Sequence, residues 1–217
     1  IEGKKQNCYG EKKDLDLNGK RILGGYPFST YLKVADGCDN CCTYCAIPLI
    51  RGHFRSRPIE DVVKEAKELE EIGVKELNIV AQDTTRYGLD LYGEYKLVDL
   101  IRAICAETKI PWIRLLYCYP DKITDELVAE MRDNDRVVKY IDLPIQHISD
   151  HVLSEMNRHG DSAMIRATVK KLRDNVPSIC IRTTVIVGFP GETDADFEEL
   201  CEYVKEAEFD RLGAFTY

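Results

Sequence analysis

The chain has 217 residues, of which 44% are apolar and 31% charged, and its formal net charge is −8. This is the composition of an ordinary globular domain with a large core, and no apolar run is long enough to span a bilayer. The acidic balance disfavours strong nucleic-acid binding and favours a basic protein partner, because the chain as a whole repels phosphate backbones.

Residues 1–28 show no sustained hydrophobic periodicity and contain glycine and proline. We interpret them as a linker, with Cys8 as a lone thiol, that leads into a domain over residues 29–217. The chain opens on a polar segment, and residues 214–217 resemble an interrupted strand. We therefore expect the sequence to be a fragment or an excised domain of a longer protein.

A cysteine-rich loop follows the first predicted strand, residues 31–35. Cys38, Cys42 and Cys45 have the spacing C-x3-C-x2-C, and Cys41 lies between them. Three thiolates on one loop can bind three corners of a cubic iron–sulfur cluster and leave the fourth iron without a protein ligand. An open coordination position is typical of catalytic metal sites. Because Cys41 also forms a C-x2-C pair with Cys38, the spacing leaves open which three cysteines bind.

Other interpretations of this loop are weaker. Zinc usually takes four ligands from two well-separated cysteine pairs, and no second pair lies elsewhere in the chain at such a separation. Cys42 and Cys45 could form a redox pair, but such a pair belongs at the start of a helix. An odd total of nine cysteines, two of them adjacent, argues against a disulfide framework and indicates a reducing cytoplasm. Four further cysteines lie in helix or strand patterns and are predicted to be small buried residues: Cys105, Cys118, Cys180 and Cys201.

Helix and strand patterns alternate along the rest of the chain. Apolar residues at helical spacing predict helices over residues 58–72, 97–104, 124–132, 149–175 (broken at Gly160) and 194–207. Short apolar runs predict further strands over 77–80, 112–116, 137–143, 180–187 and 211–217. This alternation predicts an α/β fold of parallel strands, either an open doubly wound sheet or an incomplete barrel. In both folds the site lies at the carboxyl ends of the strands.

Polar residues follow two of the predicted strands. Gln82 and Asp83 come after the second strand, where they would face a cofactor or substrate or simply form a solvated loop. Gln146 comes after the fourth strand and could reach a ribose. Both runs lie where the fold predicts a site.

The fifth predicted strand carries two further candidate features. Arg182 lies within its apolar run, where a charge requires a partner, either a cofactor carboxylate or an internal acid. Gly188, Gly191 and Glu192 then lead into a helix that begins at residue 193 or 194. Glycines allow close approach of a ligand, and a helix start offers free N–H groups, although a tight turn explains the run equally well.

Together these runs resemble a known family. The cysteine loop, residues 37–48, resembles the cluster-binding signature of the radical S-adenosylmethionine enzymes. Its continuation through residues 51–58 resembles the methylthiotransferases of that superfamily. The runs 81–88 and 144–149 resemble the branch that modifies a ribosomal protein. The resemblance covers residues 21–217.

The resemblance implies a fold and a set of ligands. The fold would be an incomplete (β/α)6 barrel of parallel strands. Cys38, Cys42 and Cys45 would hold one [4Fe–4S] cluster, and S-adenosylmethionine would bind the open iron. The residues expected to hold this cofactor, with Tyr44 near its adenine, are Tyr44, Gln146, Arg182, Gly188, Gly191 and Glu192.

The resemblance also implies a reaction and partners. The full protein would add a methylthio group to the β-carbon of an aspartate in protein twelve of the small ribosomal subunit. It would take electrons from a flavodoxin or ferredoxin type of donor. It would carry a second [4Fe–4S] cluster in an N-terminal domain, and it would have a small C-terminal β-domain. Neither of these domains is expected within this chain. The alternatives are an enzyme acting on an adenosine of transfer RNA and a non-catalytic zinc-binding scaffold module.

Overall fold

The computed structural model describes Leu17, Gly24 and residues 28–217. Almost all of the predicted linker, including Cys8, lies outside these residues. The strands are β1 (Ser29–Lys33), β2 (Ala35–Asp36), β3 (Arg55–Ser56), β4 (Glu76–Val80), β5 (Trp112–Leu115), β6 (Val137–Asp142), β7 (Cys180–Val187) and β8 (Arg211–Thr216). The helices are α1 (Ile47–Arg51), α2 (Ile59–Glu71), α3 (Leu89–Tyr92), α4 (Leu97–Glu107), α5 (Asp125–Asp133), α6 (Asp150–Glu155), α7 (Ser162–Asn175) and α8 (Asp194–Ala207).

Six of the strands form one parallel sheet in the order β1-β4-β5-β6-β7-β8. Within the described residues β1 and β8 are the two edges and do not pair, so the barrel is not closed. The prediction of an incomplete barrel of parallel strands is confirmed. Strands β2 and β3 form a separate antiparallel ribbon on either side of the cysteine loop.

The core lies between the sheet and the helices that cover it. Leu77 and Ile79 on β4 and Ile113 and Leu115 on β5 are completely buried. These strands alternate with helices whose apolar residues recur on one face. In α2 the buried residues follow helical spacing: Val62, Val63, Ala66 and Leu69. The strand and helix patterns of the sequence therefore identified the elements that form the core.

The short elements were not predicted. Helices α1 and α3 have five and four residues, and β2 and β3 have two residues each. Such segments contain too few positions for a hydrophobic period to be visible. The predicted break at Gly160 is wider than one residue, because α6 ends at Glu155 and α7 begins only at Ser162. No helix in the described part of the chain has the length and apolarity required to cross a membrane.

Helix α8 begins with a reciprocal capping interaction at the turn predicted from the sequence. The hydroxyl of Thr193 accepts from the backbone N–H of Asp196, and the Asp196 carboxylate accepts from the backbone N–H of Thr193 at 2.9 Å. Thr193→Ala should lower the free energy of unfolding by about 1 kcal/mol, because it removes the cap. Urea unfolding measures this loss, and Thr193→Ser, which keeps the hydroxyl, should stay near the wild type. Equal losses in both variants would show that the cap does not stabilise α8.

Candidate metal and cofactor site

The cysteine loop and the carboxyl ends of β4, β5 and β6 line a cavity of about 470 Å3. Cys38, Cys42 and Cys45 all line it, and all three are free thiols. Cys41 is exposed and does not line it; the backbone φ at Cys41 is 52°. The spacing left open which three cysteines bind. In the structure, three of the four cysteines line the cavity and Cys41 lies outside it.

Polar contacts attach the loop to the end of α6. The backbone N–H of Thr43 donates to the carbonyl of Met156 at 3.1 Å, and its hydroxyl donates to the carbonyl of Glu155 at 2.9 Å. The Asn157 amide donates to the carbonyl of Cys41 at 3.0 Å. The loop is therefore fixed to the end of α6, which restricts where its thiols can point.

A buried carboxylate supports the other end of the loop. Asp83 is completely buried and accepts from the Asn40 amide at 2.9 Å and from the Thr85 hydroxyl at 2.6 Å. The Lys122 ammonium lies 3.9 Å from the same carboxylate. From its position after the second predicted strand, Asp83 was predicted to face a cofactor or substrate or to form part of a solvated loop. Instead its oxygens are engaged by protein groups, and its neighbour Gln82 lines the cavity.

Tyr44, Tyr119 and Arg158 form one wall of the cavity. The Tyr119 hydroxyl lies 3.3 Å from the sulfur of Cys42, and the Arg158 guanidinium carbon lies 3.9 Å from the centroid of the Tyr119 ring. Arg158 also donates to the carbonyl of Pro144 at 2.7 Å and to the Tyr44 hydroxyl at 3.5 Å. Burial raises the pKa of both phenols, which therefore keep their protons at neutral pH.

Burial desolvates two of the thiols that line the cavity. Burial raises the pKa of Cys38, since desolvation disfavours the thiolate. The pKa of Cys118 is raised well above its usual range by the same cause. Cys118 was predicted to be a small buried residue, and this is confirmed. It also lines the cavity, which was not predicted. Three other cysteines were predicted to be buried but are only partly so: Cys105, Cys180 and Cys201.

Two of the predicted cofactor residues, Tyr44 and Gln146, line the cavity. Gln146 adopts φ 68°, and its backbone bridges to β7 through a 2.9 Å bond to the carbonyl of Thr184. Tyr117, which also lines the cavity, adopts φ 55°. Non-glycine residues adopt such angles at an energetic cost, and they occur often at functional sites.

Arg182 does not line the cavity. Its guanidinium donates to the Asp142 carboxylate at 2.7 Å, so the internal acid is the partner that the structure provides. The second oxygen of Asp142 accepts from the backbone N–H of Tyr117 at 3.1 Å. Arg182 is thereby connected to the cavity wall through two hydrogen bonds, and its contact with a cofactor stays a prediction.

Gly188, Gly191 and Glu192 form the turn between β7 and α8 and are not among the residues lining the cavity. The φ angles of the glycines are 75° and 88°, which favour glycine. The Glu192 carboxylate accepts from the backbone N–H of Phe189 at 2.9 Å and lies 3.7 Å from Nε2 of the buried His147. Burial lowers the pKa of His147, and the nearby Glu192 opposes this shift. Their role in cofactor binding also stays a prediction.

The residues of the cavity fit an iron–sulfur cluster with an organic cofactor beside it. Thiolates are the protein ligands of such clusters. The side-chain oxygens of Asn40 and Gln82 are buried and lack hydrogen-bond partners among the described residues, so they are free to accept from a ligand. Among the residues that the structure describes, no group of three His, Cys, Asp or Glu side chains is placed to hold a single metal ion. A cluster instead takes each thiolate at a different iron.

The fold and the cysteine loop define the class of protein. The sequence pattern of the Radical SAM superfamily matches residues 32–204, and the chain belongs to that superfamily. Its curated relatives include ribosomal protein uS12 methylthiotransferase RimO from Alkaliphilus oremlandii, which is 51% identical over 208 residues, 96% of this chain and 47% of that protein. RimO from Geotalea uraniireducens is 54% identical over 204 residues, 94% of this chain and 45% of that protein. The resemblance to the ribosomal-protein branch is confirmed, and the chain spans about half the length of these relatives.

Solved structures share the fold. The radical S-adenosylmethionine methyltransferase TsrM from Kitasatospora setae, with cobalamin and a [4Fe-4S] cluster bound, superposes with a TM-score of 0.70 at 17% identity. The match covers 86% of this chain and 36% of that one. Coproporphyrinogen III oxidase HemN from Escherichia coli gives a TM-score of 0.63 at 18% identity, over 88% and 45% of the two chains. These similarities support the fold alone.

Proposed function

We propose that this chain is the radical-generating core of a ribosomal protein uS12 methylthiotransferase. The observation that carries the proposal is that three cysteines with C-x3-C-x2-C spacing line one cavity, while the fourth cysteine of the loop lies outside it. The sequence identity of 51% and 54% to two uS12 methylthiotransferases supports the choice of substrate. The reaction would transfer a methylthio group to the β-carbon of an aspartate of that ribosomal protein.

Cys38, Cys42 and Cys45 would hold a [4Fe–4S] cluster whose fourth iron binds S-adenosylmethionine. When bound, these groups would carry the electron transfer and the radical chemistry of the reaction. The chain contributes binding, orientation and the exclusion of water. Ile47, Val80 and Ala81 give the cavity apolar surface, which excludes solvent beside the thiols.

The polar residues of the cavity would orient the cofactor. The free oxygens of Asn40 and Gln82 would accept from its N–H or O–H groups. Tyr44 and Gln146 would contact its adenosine portion. Three further residues would shape that subsite from the turn after β7, namely Gly188, Gly191 and Glu192. Arg182 would act through Asp142 on the backbone of Tyr117.

The remaining partners belong to the whole protein. We infer that a cytoplasmic reductant of the flavodoxin or ferredoxin type supplies the electron. A second [4Fe–4S] cluster would lie in an N-terminal domain of the whole protein. Both proposals follow from the resemblance to the family.

Two experiments test this function. Anaerobic reconstitution with iron and sulfide should give a brown protein with bound iron, whereas a colourless protein that retains one zinc ion would favour the scaffold alternative. The full-length enzyme should then modify uS12 and not transfer RNA, as measured by mass spectrometry of both. A methylthio group on the RNA alone would overturn the choice of substrate and leave the cluster assignment standing.

A further inference from the structure

Tyr119 and Arg158 form a stacked pair beside Cys42. The Tyr119 hydroxyl is 3.3 Å from the Cys42 sulfur, and the Arg158 guanidinium carbon is 3.9 Å from the centroid of the Tyr119 ring. We propose that this pair raises the reduction potential of the iron–sulfur cluster by stabilising the ligand thiolate of Cys42. The inference rests on the proposed function, since it requires a cluster at this loop.

The first contribution is a hydrogen bond whose direction is determined by the chemistry. In the free protein either the thiol or the phenol can donate. A thiolate bound to iron has no proton, so only the Tyr119 hydroxyl can donate to Cys42. Hydrogen bonds to the ligand sulfurs are among the factors that set the potential of an iron–sulfur cluster. They favour the reduced cluster because it carries one more negative charge.

The second contribution is the positive charge of Arg158. Its guanidinium is held by the carbonyl of Pro144 at 2.7 Å and the hydroxyl of Tyr44 at 3.5 Å, both neutral groups. No carboxylate within the described residues pairs with it. A largely buried charge acts strongly on neighbouring groups because the effective dielectric constant around it is low. Arg158 should therefore favour the reduced cluster as well.

A second cation near the same ring is neutralised. The Lys122 ammonium lies 4.9 Å from the centroid of the Tyr119 ring. It is paired with the Asp121 carboxylate at 2.7 Å and lies 3.9 Å from that of Asp83. The net charge of Lys122, Asp121 and Asp83 together is therefore not positive. Of these two cations beside the Tyr119 ring, Arg158 is therefore the one whose charge no carboxylate among the described residues compensates.

The test is a redox titration of the reconstituted protein, followed by visible absorption and electron paramagnetic resonance. At a fixed solution potential, Tyr119→Phe should lower the ratio of reduced to oxidised cluster about tenfold, which corresponds to about 59 mV for one electron. Arg158→Gln should lower it in the same direction, and Arg158→Lys, which keeps the charge, should restore part of the difference. Bound iron should equal that of the wild type.

Tyr203 provides the matched control. It is a buried tyrosine with the Arg166 guanidinium 4.4 Å from its ring centroid, and its hydroxyl has no hydrogen-bond partner among the described residues. Tyr203→Phe should leave the potential unchanged. An unchanged potential in a fully loaded Tyr119→Phe protein would overturn the inference and leave the proposed function standing. Loss of iron from both Tyr119→Phe and Arg158→Gln would also overturn it, because the pair would then merely hold the loop. A wild type that binds no cluster would overturn both proposals.

Discussion

Cys42→Ala should abolish cluster binding, whereas Cys41→Ala should leave it nearly intact. Cys42 is buried against the cavity, while Cys41 is exposed and does not line it. Bound iron in Cys42→Ala should fall by more than about tenfold, since even losing an outer partner of a metal ligand can weaken metal binding by that factor. Iron and sulfide analysis after anaerobic reconstitution measures this, together with the visible absorption of the cluster.

Cys41 is a stringent control because it is adjacent to Cys42 and shares the loop. The two variants remove the same atom from neighbouring positions, so any general damage to the loop should appear in both. Cys38→Ala and Cys45→Ala should behave like Cys42→Ala. If Cys41→Ala lost the cluster and Cys42→Ala retained it, the ligand set would be Cys38, Cys41 and Cys45, and the inference about Tyr119 would fail with it.

The elements of the core were predictable from the sequence because they are long and periodic. Strand β7 and helix α8 have eight and fourteen residues, and their apolar positions recur often enough to reveal both type and extent. The turn that joins them was recognisable from its glycines and from Thr193. By contrast, the ribbon depends on contacts made in the folded protein, because β2 and β3 pair across the whole cysteine loop, with Ala35 opposite Ser56 and Asp36 opposite Arg55.

The cysteines of the site were predictable because they are close in sequence, and the wall opposite them was not. Cys42 and Tyr119 are 77 positions apart, and Tyr44 and Arg158 are 114 apart, so no motif spans either pair. Tyr119 follows β5, however, and the rule that polar residues gather at the carboxyl ends of parallel strands would have found it. Arg158 lies after α6, where that rule gives no signal.

Asp83→Ala should destabilise the protein by about 3 kcal/mol and weaken cluster binding as well. Asp83 is completely buried, and its loss would leave the Asn40 amide and the Thr85 hydroxyl without their acceptor. Unsatisfied buried donors each cost about 1–3 kcal/mol. Because Asn40 lies between Cys38 and Cys42, a free Asn40 side chain should also loosen the loop. Urea unfolding measures the first effect, and iron content after reconstitution measures the second.

Two variants separate the role of this carboxylate from a general loss of negative charge. Asp133→Ala removes an exposed carboxylate whose partner is its sequence neighbour Arg132, so it should change neither stability nor iron content appreciably. Asp83→Asn keeps the size and one acceptor oxygen, and it should fall between the wild type and Asp83→Ala in both measurements. If Asp83→Ala unfolded like the wild type, the buried network would not support the loop. If it lost stability but kept all of its iron, the loop would be held by its contacts with α6 alone.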